Sequence, residues 1–243
     1  MKEIKDTEYI FISTRVKAME RGLLTRERME RMLDAPSDEA AAKVLVECGY
    51  PDLASVTSQS LEAALAQRQS ETMADLDSAI PDRTVLDIFK VQFDYHNAKV
   101  LVKAQALGTQ QDRLLIRGGR YDPDQLAADY RQGDLSGCSE RFQQAVSRAG
   151  EVLGSTGDPQ QADFVLDRAY FEEMGELAAQ TGSAFLEGYV ALLIDAANLR
   201  AAVRASRLKK GGEFLRQVLV PGGNVPDSRD HGDGNVFIPV PGT

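Results

Sequence analysis

The feature that most constrains this chain is an internal repeat. Asp94, Asn97, Lys99, Val102, Lys103 and Ala104 spell D-x-x-N-x-K-x-x-V-K-A, and Asp195, Asn198, Arg200, Val203, Arg204 and Ala205 spell D-x-x-N-x-R-x-x-V-R-A. Each matched pair lies 101 residues apart. Downstream, Leu115-Ile116-Arg117-Gly118-Gly119 is echoed by Leu219-Val220-Pro221-Gly222-Gly223 at a spacing of 104. Two ordered matches at nearly one spacing imply duplicated structural units joined by loops of slightly different length. A fainter third copy is expected near the start, at Val16-Lys17-Ala18 before Leu23. The Asp and Asn of each copy lie three apart and share one helix face. They are expected to tie two helices together through side-chain hydrogen bonds, or else to face a partner. The double glycines lack a strand-and-helix context and read as helix punctuation.

The rest of the chain reads at helical period. Tyr9, Ile12, Val16, Met19 and Leu23 fall on one face. Pro36 closes a second helix, Ser37 caps a third and Gly49 stops it. A helix is expected over about Ser58–Ala79. A long one follows from an Asp82 cap to Leu107, with Val85, Phe89, Phe93, Val100, Ala104 and Leu107 as its buried stripe and Gly108 as its stop. Asp122-Pro123 and Asp158-Pro159 each start another helix. In the second of these, Val165, Ala169 and Leu177 are expected to point inward. Gly182-Ser183 precedes a final long helix over about Phe185–Leu208. Residues of strong β preference are scattered rather than alternating, so no sheet is expected and the fold class is all-α. From Pro221 to Thr243, nine residues are Pro or Gly, which predicts a loop or irregular tail.

Composition excludes several classes of function. The 243 residues are 43% hydrophobic and 27% charged, as in a folded domain rather than a disordered chain. A formal net charge of −9 and the absence of Trp argue against nucleic acid or anionic lipid as the main partner. No run of about 18 apolar residues is present to cross or insert into a bilayer. Cys48 and Cys138 read as two reduced thiols, and His96 and His231 have no metal-ligand spacing around them. No phosphate-cradling loop and no nucleophile elbow occurs. Asp75, Asp77 and Asp82 are the nearest candidates for a Mg²⁺ site, but Asp75 and Asp77 point to different sides of a helix and read as a solvated acidic face. No catalytic residue, cofactor or metal is therefore expected. The residues singled out are Asp94, Asn97, Lys99, Asp195, Asn198 and Arg200.

The segment YIFISTRVKAMERGLLTRERMERMLDAPSDEAAAKVLVECGY resembles the N-terminus of the C subunit of the prokaryotic V-type (A-type) rotary ATPase, known in eukaryotes as the d subunit. FDYHNAKVLVKAQALG, LDRAYFEEM and LLIDAANLRAAVRA follow in the order of that family, so the likeness spans roughly residues 8–225. The resemblance implies an all-α fold of three similar helical units around a pseudo-threefold axis, forming a funnel. It implies a non-catalytic part that couples the D and F subunits of the central stalk to the membrane rotor ring, peripheral to the membrane on its cytoplasmic side. On that pattern residues 1–83 and 84–184 form two units, 185–225 begin a third, incomplete one, and 226–243 are an irregular tail. Family members continue beyond the second D-x-x-N helix, whereas DSRDHGDGNVFIPVPGT does not resemble them, which suggests a truncated or frame-shifted reading or a fragment. An open third unit would leave apolar side chains of the Phe185–Leu208 helix uncovered and favour self-association. Two other readings remain open on the residues alone: a free-standing helical scaffold that binds another protein, and an all-α enzyme using carboxylates and Mg²⁺.

Overall fold

The computed structural model describes residues 6–225. The expectations for the tail beyond Val225 lie outside the described residues. Among those residues the structure has ten α-helices, two short 3-10 turns and no strand. The helices group into two compact units, one running up to Leu86 with Ile116–Gly118, the other comprising Asp87–Leu115 and the chain from Gly119 onward.

The first unit holds α1 (Ile10–Glu20), α2 (Arg26–Leu33), α3 (Asp38–Glu47) and α4 (Ser58–Ala79). Their starts are fixed by hydroxyl caps. Thr25 accepts from the Arg28 amide and Ser37 from the Ala40 amide, while Thr57 and Ser60 cap each other reciprocally. Ile12, Val44, Leu45, Cys48 and Ala64 form its small core. Arg15 on α1 pairs with Asp75 on α4, so Asp75 is an ion-pair partner rather than part of a cation site. Of the stripe expected on α1, Ile12 is buried and Tyr9 and Met19 are half-buried. Val16 and Leu23 are exposed; the helix ends at Glu20, so Leu23 lies beyond it.

α5 (Arg83–Ala106) starts at Asp82, whose carboxylate accepts from the Thr84 amide, and its end is followed by Gly108 at φ 62°. The second unit adds α6 (Pro123–Gln132), α7 (Glu140–Thr156), α8 (Pro159–Thr181), α9 (Ala184–Arg207) and α10 (Gly212–Val218). Asp122, Ser139, Asp158 and Ser183 cap α6 to α9. The stretch after Asp122-Pro123 is two helices rather than one, because Gly133 takes a left-handed conformation at φ 74° and ends α6. α8 packs along both α7 and α9. Tyr95 of α5 meets Phe142 of α7 and Tyr170 of α8 edge-on, at centroid distances of 5.4 and 6.0 Å. Phe164 on α8 meets Phe214 of α10 edge-on at a centroid distance of 5.7 Å.

The buried stripe of α5 differs from the one expected. Only Ala104 of the six expected residues is buried, and Leu107 is exposed. Ile88, Val91, Asp94, Tyr95, Asn97, Ala98, Leu101 and Val102 are buried instead. The helix is enclosed on more than one side, and two of its most buried positions are polar, so an apolar period read from sequence slips in phase. On α8, Ala169 is buried as expected, whereas Val165 and Leu177 are half-buried beside a stripe of Ala162, Leu166, Ala169 and Glu173. Leu166 is fully buried between neighbouring helices. Leu166→Ala is expected to destabilise the chain by about 2–5 kcal/mol in urea unfolding followed by circular dichroism, without changing helical content at zero denaturant.

Candidate functional site: a duplicated aspartate latch

Each repeated aspartate binds the backbone that follows its double glycine. In the first copy, Asp94 Oδ1 accepts from the Arg120 amide at 2.9 Å and the Tyr121 amide at 3.4 Å. In the second, Asp195 accepts from the Asn224 amide at 3.1 Å and the Val225 amide at 3.0 Å. The bonded pairs are therefore one helix aspartate and two consecutive loop amides in both copies. The three-residue difference between the repeat spacings sits in the connecting segment, which holds a 3-10 turn at Asp112–Leu114 in the first copy and α10 in the second.

The double glycines are not helix stops. Gly118 and Gly222 hold left-handed turns at φ 104° and 100°. The glycines after them, Gly119 and Gly223, lie so close to the carboxylates that an added Cβ would collide with Asp94 Oδ1 and Asp195 Oδ1 respectively. One glycine turns the chain and the next lets the backbone approach the acid.

The other singled-out residues fall around these latches. Asn198 forms a two-way bond with Val220, donating Nδ2 to its carbonyl at 2.8 Å and accepting its amide at 2.9 Å. Asn97 is fully buried at the matching place on α5. Lys99 pairs with Asp167 on α8 at 2.5 Å. Arg200 is exposed and donates to the Ala196 carbonyl of its own helix. The repeated acids thus grip loop backbone rather than a second helix.

Sequence reasoning missed the residues that complete the first latch. Arg120 donates Nε to Asp94 Oδ2 at 2.6 Å and Nη1 to Glu173 Oε1 at 2.8 Å. Glu173 also accepts from Ser139 Oγ at 2.6 Å and from the Tyr95 hydroxyl at 2.8 Å. Tyr121 accepts the Ser139 amide at 2.8 Å, and its ring lies under the Arg120 guanidinium at 5.1 Å. Asp94 and Glu173 are buried, so two carboxylates share one guanidinium out of water. One signal was available: Glu173 continues the Leu166, Ala169 stripe of α8, an acid in register with an apolar face.

Burial raises the Asp94 carboxyl to about 6 despite the pull of Arg120 and the two amides. Burial pushes on Glu173 in the same direction, but its bonds to Arg120, Ser139 and Tyr95 keep it below its ordinary value. Burial and the adjacent Glu173 carboxylate push Tyr95 far up, and burial lifts the Cys138 thiol to about 11, leaving it unreactive at neutral pH. Every carboxylate oxygen of Asp94 and Glu173 already accepts a hydrogen bond, so neither is placed to act on a substrate. Among the described residues, no group of three or more His, Cys, Asp or Glu could hold a metal ion, and no helix is long and apolar enough to cross a membrane.

The sequence profile of the ATP synthase (C/AC39) subunit family matches residues 12–230. The chain belongs to that family. It is thus a structural component of a V/A-type ATPase rather than a catalytic one. Relatives include the C subunit of the V-type sodium ATPase of Enterococcus hirae, 23% identical over 90% of this chain and 67% of its own length. The C subunit of the V-type ATP synthase of Thermus thermophilus is 25% identical over 87% of this chain and 70% of its own. The C subunit of the A-type ATP synthase of Thermococcus onnurineus is 26% identical over 91% of this chain and 63% of its own. The profile match takes in both D-x-x-N helices and both double glycines of this C/AC39 chain.

Gly119→Ala is expected to cost about 2–3 kcal/mol, because the added methyl must displace a buried, bonded carboxylate. Gly223→Ala should cost only about 1 kcal/mol, since half-exposed Asp195 can turn toward water. Gly154→Ala on α7, with open space around it, should be neutral or stabilising by about 0.5–1 kcal/mol. Denaturant midpoints of the three variants check the order. Titration gives a second test. The folded Asp94 carboxyl, raised to about 6, retains a proton that the unfolded chain releases near 3.8. The stability Asp94 contributes therefore falls as pH rises between those values. The stability of the native chain minus that of Asp94→Asn should decrease over this window and level off above it. Glu173 shifts the other way, but it is present in both proteins.

Proposed function

We propose that this chain is the non-catalytic coupling subunit of a V/A-type rotary ATPase, seated between the D and F subunits of the central stalk and the membrane rotor ring. On this reading it lies on the cytoplasmic side, peripheral to the membrane, and serves proton or sodium transport without touching the ion. The observation that carries the reading is the family match over residues 12–230. The latches support it. A coupling part carries torque between two bodies, so its helices must keep register under load. Side-chain bonds to loop backbone resist sliding because they are directional. The long helices α8 and α9, of 23 and 24 residues, supply stiff members. We place the two D-x-x-N helices in equivalent positions of pseudo-threefold units at about 84–184 and from 185, after a first unit at 1–83, as in a funnel. Asp94, Asn97, Lys99, Asp195 and Asn198 are assigned to holding those units rather than to the interfaces, while the exposed Arg200 donates to its own helix.

The test is reconstitution from the organism's own components. The full chain should bind both the purified rotor ring and the D–F stalk in pull-downs. Adding it to a preparation depleted of this protein should restore ATP-driven ion uptake into vesicles. Binding to neither body would overturn the reading in favour of a free-standing helical scaffold.

A further inference from the structure

The charges around Asp94 do not balance. Arg120 faces it from the loop, and Glu173 shares that guanidinium from α8. Tyr95 on α5, Tyr121 in the loop and Cys138 before α7 stay neutral at ordinary pH, because burial raises each of their acidic groups. Arg141 on α7 is taken up by Glu172 and Glu176, and Asp129 on α6, whose field reaches Cys138, adds only to the negative sign. Two carboxylates and one guanidinium leave one net negative charge where Asp94 is 0% and Glu173 4% exposed. A net charge in so dry a place is costly, and either a proton or water relieves it.

The proton fits on Asp94. Glu173 lines a cleft of about 490 Å³ together with Arg120 and Ser139, whereas Asp94 lies behind them. Oδ1 of Asp94 accepts both loop amides, while Oδ2 accepts only from Arg120 Nε at 2.6 Å. A proton on Oδ2 therefore removes the charge and leaves both amide bonds in place. Burial already lifts this carboxyl to about 6 in spite of its three donors. Lifting Arg120 and Tyr121 away instead lets water reach Asp94, and its ordinary acidity returns.

We propose that the Asp94–Arg120–Glu173 cluster is a proton-operated latch on the loop after α5: a proton on Asp94 holds Arg120 and Tyr121 closed, and its loss lets them open more readily. The sign follows from linkage. The closed latch binds the proton more tightly than the open one, so the proton favours closure. That stabilisation is complete below the ordinary value near 3.8 and is lost as pH rises through about 6. The second latch has no such device. Asp195 is half-exposed, so water already shares its charge, and Asn224 stands in place of Arg120. The device rests on the network itself and not on the coupling role.

Amide hydrogen exchange of the full, isotope-labelled chain, corrected for the intrinsic effect of pH, tests the proposal. The Arg120 and Tyr121 amides should exchange by local opening, faster than the Leu166 amide, which lies in the core and opens with the whole fold. Their opening constants should be on the order of tenfold smaller at about pH 5 than at about pH 7.5. Those of Asn224 and Val225 should not change in this way, and Asp94→Asn, its fold checked by circular dichroism, should remove the dependence. The carbon resonance of the Asp94 carboxyl needs no variant: in the native chain its midpoint should lie near 6. Opening constants indifferent to pH, an equal dependence at Asn224 and Val225, or a dependence that survives Asp94→Asn would overturn the proposal. So would exchange no faster than at Leu166, or a carboxyl midpoint near 3.8.

Discussion

The second unit of this chain is organised around the carboxylate of Asp94. It is fully buried, and a buried carboxylate is tolerated only when paired and hydrogen-bonded. Its partners are two consecutive loop amides and one guanidinium, and that demand reaches far along the sequence. The amides require the loop to approach closely, which requires Gly119. The guanidinium of Arg120 also binds a second acid, Glu173, brought from α8 more than fifty residues away. Glu173 in turn fixes Tyr95 on α5 and Ser139 at the start of α7. One buried charge thus fixes the mutual positions of α5, α7, α8 and the loop before α6. Removing one partner would leave an uncompensated charge, typically at a cost of about 3–5 kcal/mol, whereas the intact set adds little net stability over an apolar replacement. Its contribution is register.

The second latch shows which parts of the arrangement are optional. Asp195 is half-exposed, so water shares its solvation and no guanidinium is needed. Asn224 stands where Arg120 stands, and its amide side chain adds one weak bond at 3.3 Å. The glycine that admits the carboxylate is retained in both copies, and so is the left-handed glycine before it. Backbone geometry is common to the two copies, and the charged network is present only where the site is dry. Burial, rather than the motif, determines the need for Arg120 and Glu173.

This difference also explains what could be read from the sequence. Helix starts were legible because their causes are local: Ser37, Asp82, Asp122-Pro123, Asp158-Pro159 and Ser183 cap the helices expected after them. The Asp and Asn of the latch were legible because the repeat singled them out. Their loop partners were not, since nothing in D-x-x-N states which amides the acid will reach. The stripe of α5 was misplaced because Asp94 and Asn97 sit at its centre, and an apolar count treats buried polar residues as surface. Gly133 was passed over as a helix break for a related reason: whether one glycine bends or ends a helix depends on its φ, which the surrounding packing selects.

A motor part built from helices faces a particular difficulty. Apolar contact between helices is strong but non-directional, so it resists separation better than sliding. Interdigitated side chains oppose sliding only until a helix advances to the next ridge. A carboxylate bound to two consecutive amides has no equivalent position one turn away, because those amides are free only where Gly118 and Gly119 shape the loop. The ion pairs from Lys99 and Lys103 to successive turns of α8 add a weaker restraint, since a slip of one turn would break one of the two. Such bonds contribute little to global stability and much to resisting axial slip. For the proposed coupling role, that would make the latches more telling than the size of the core.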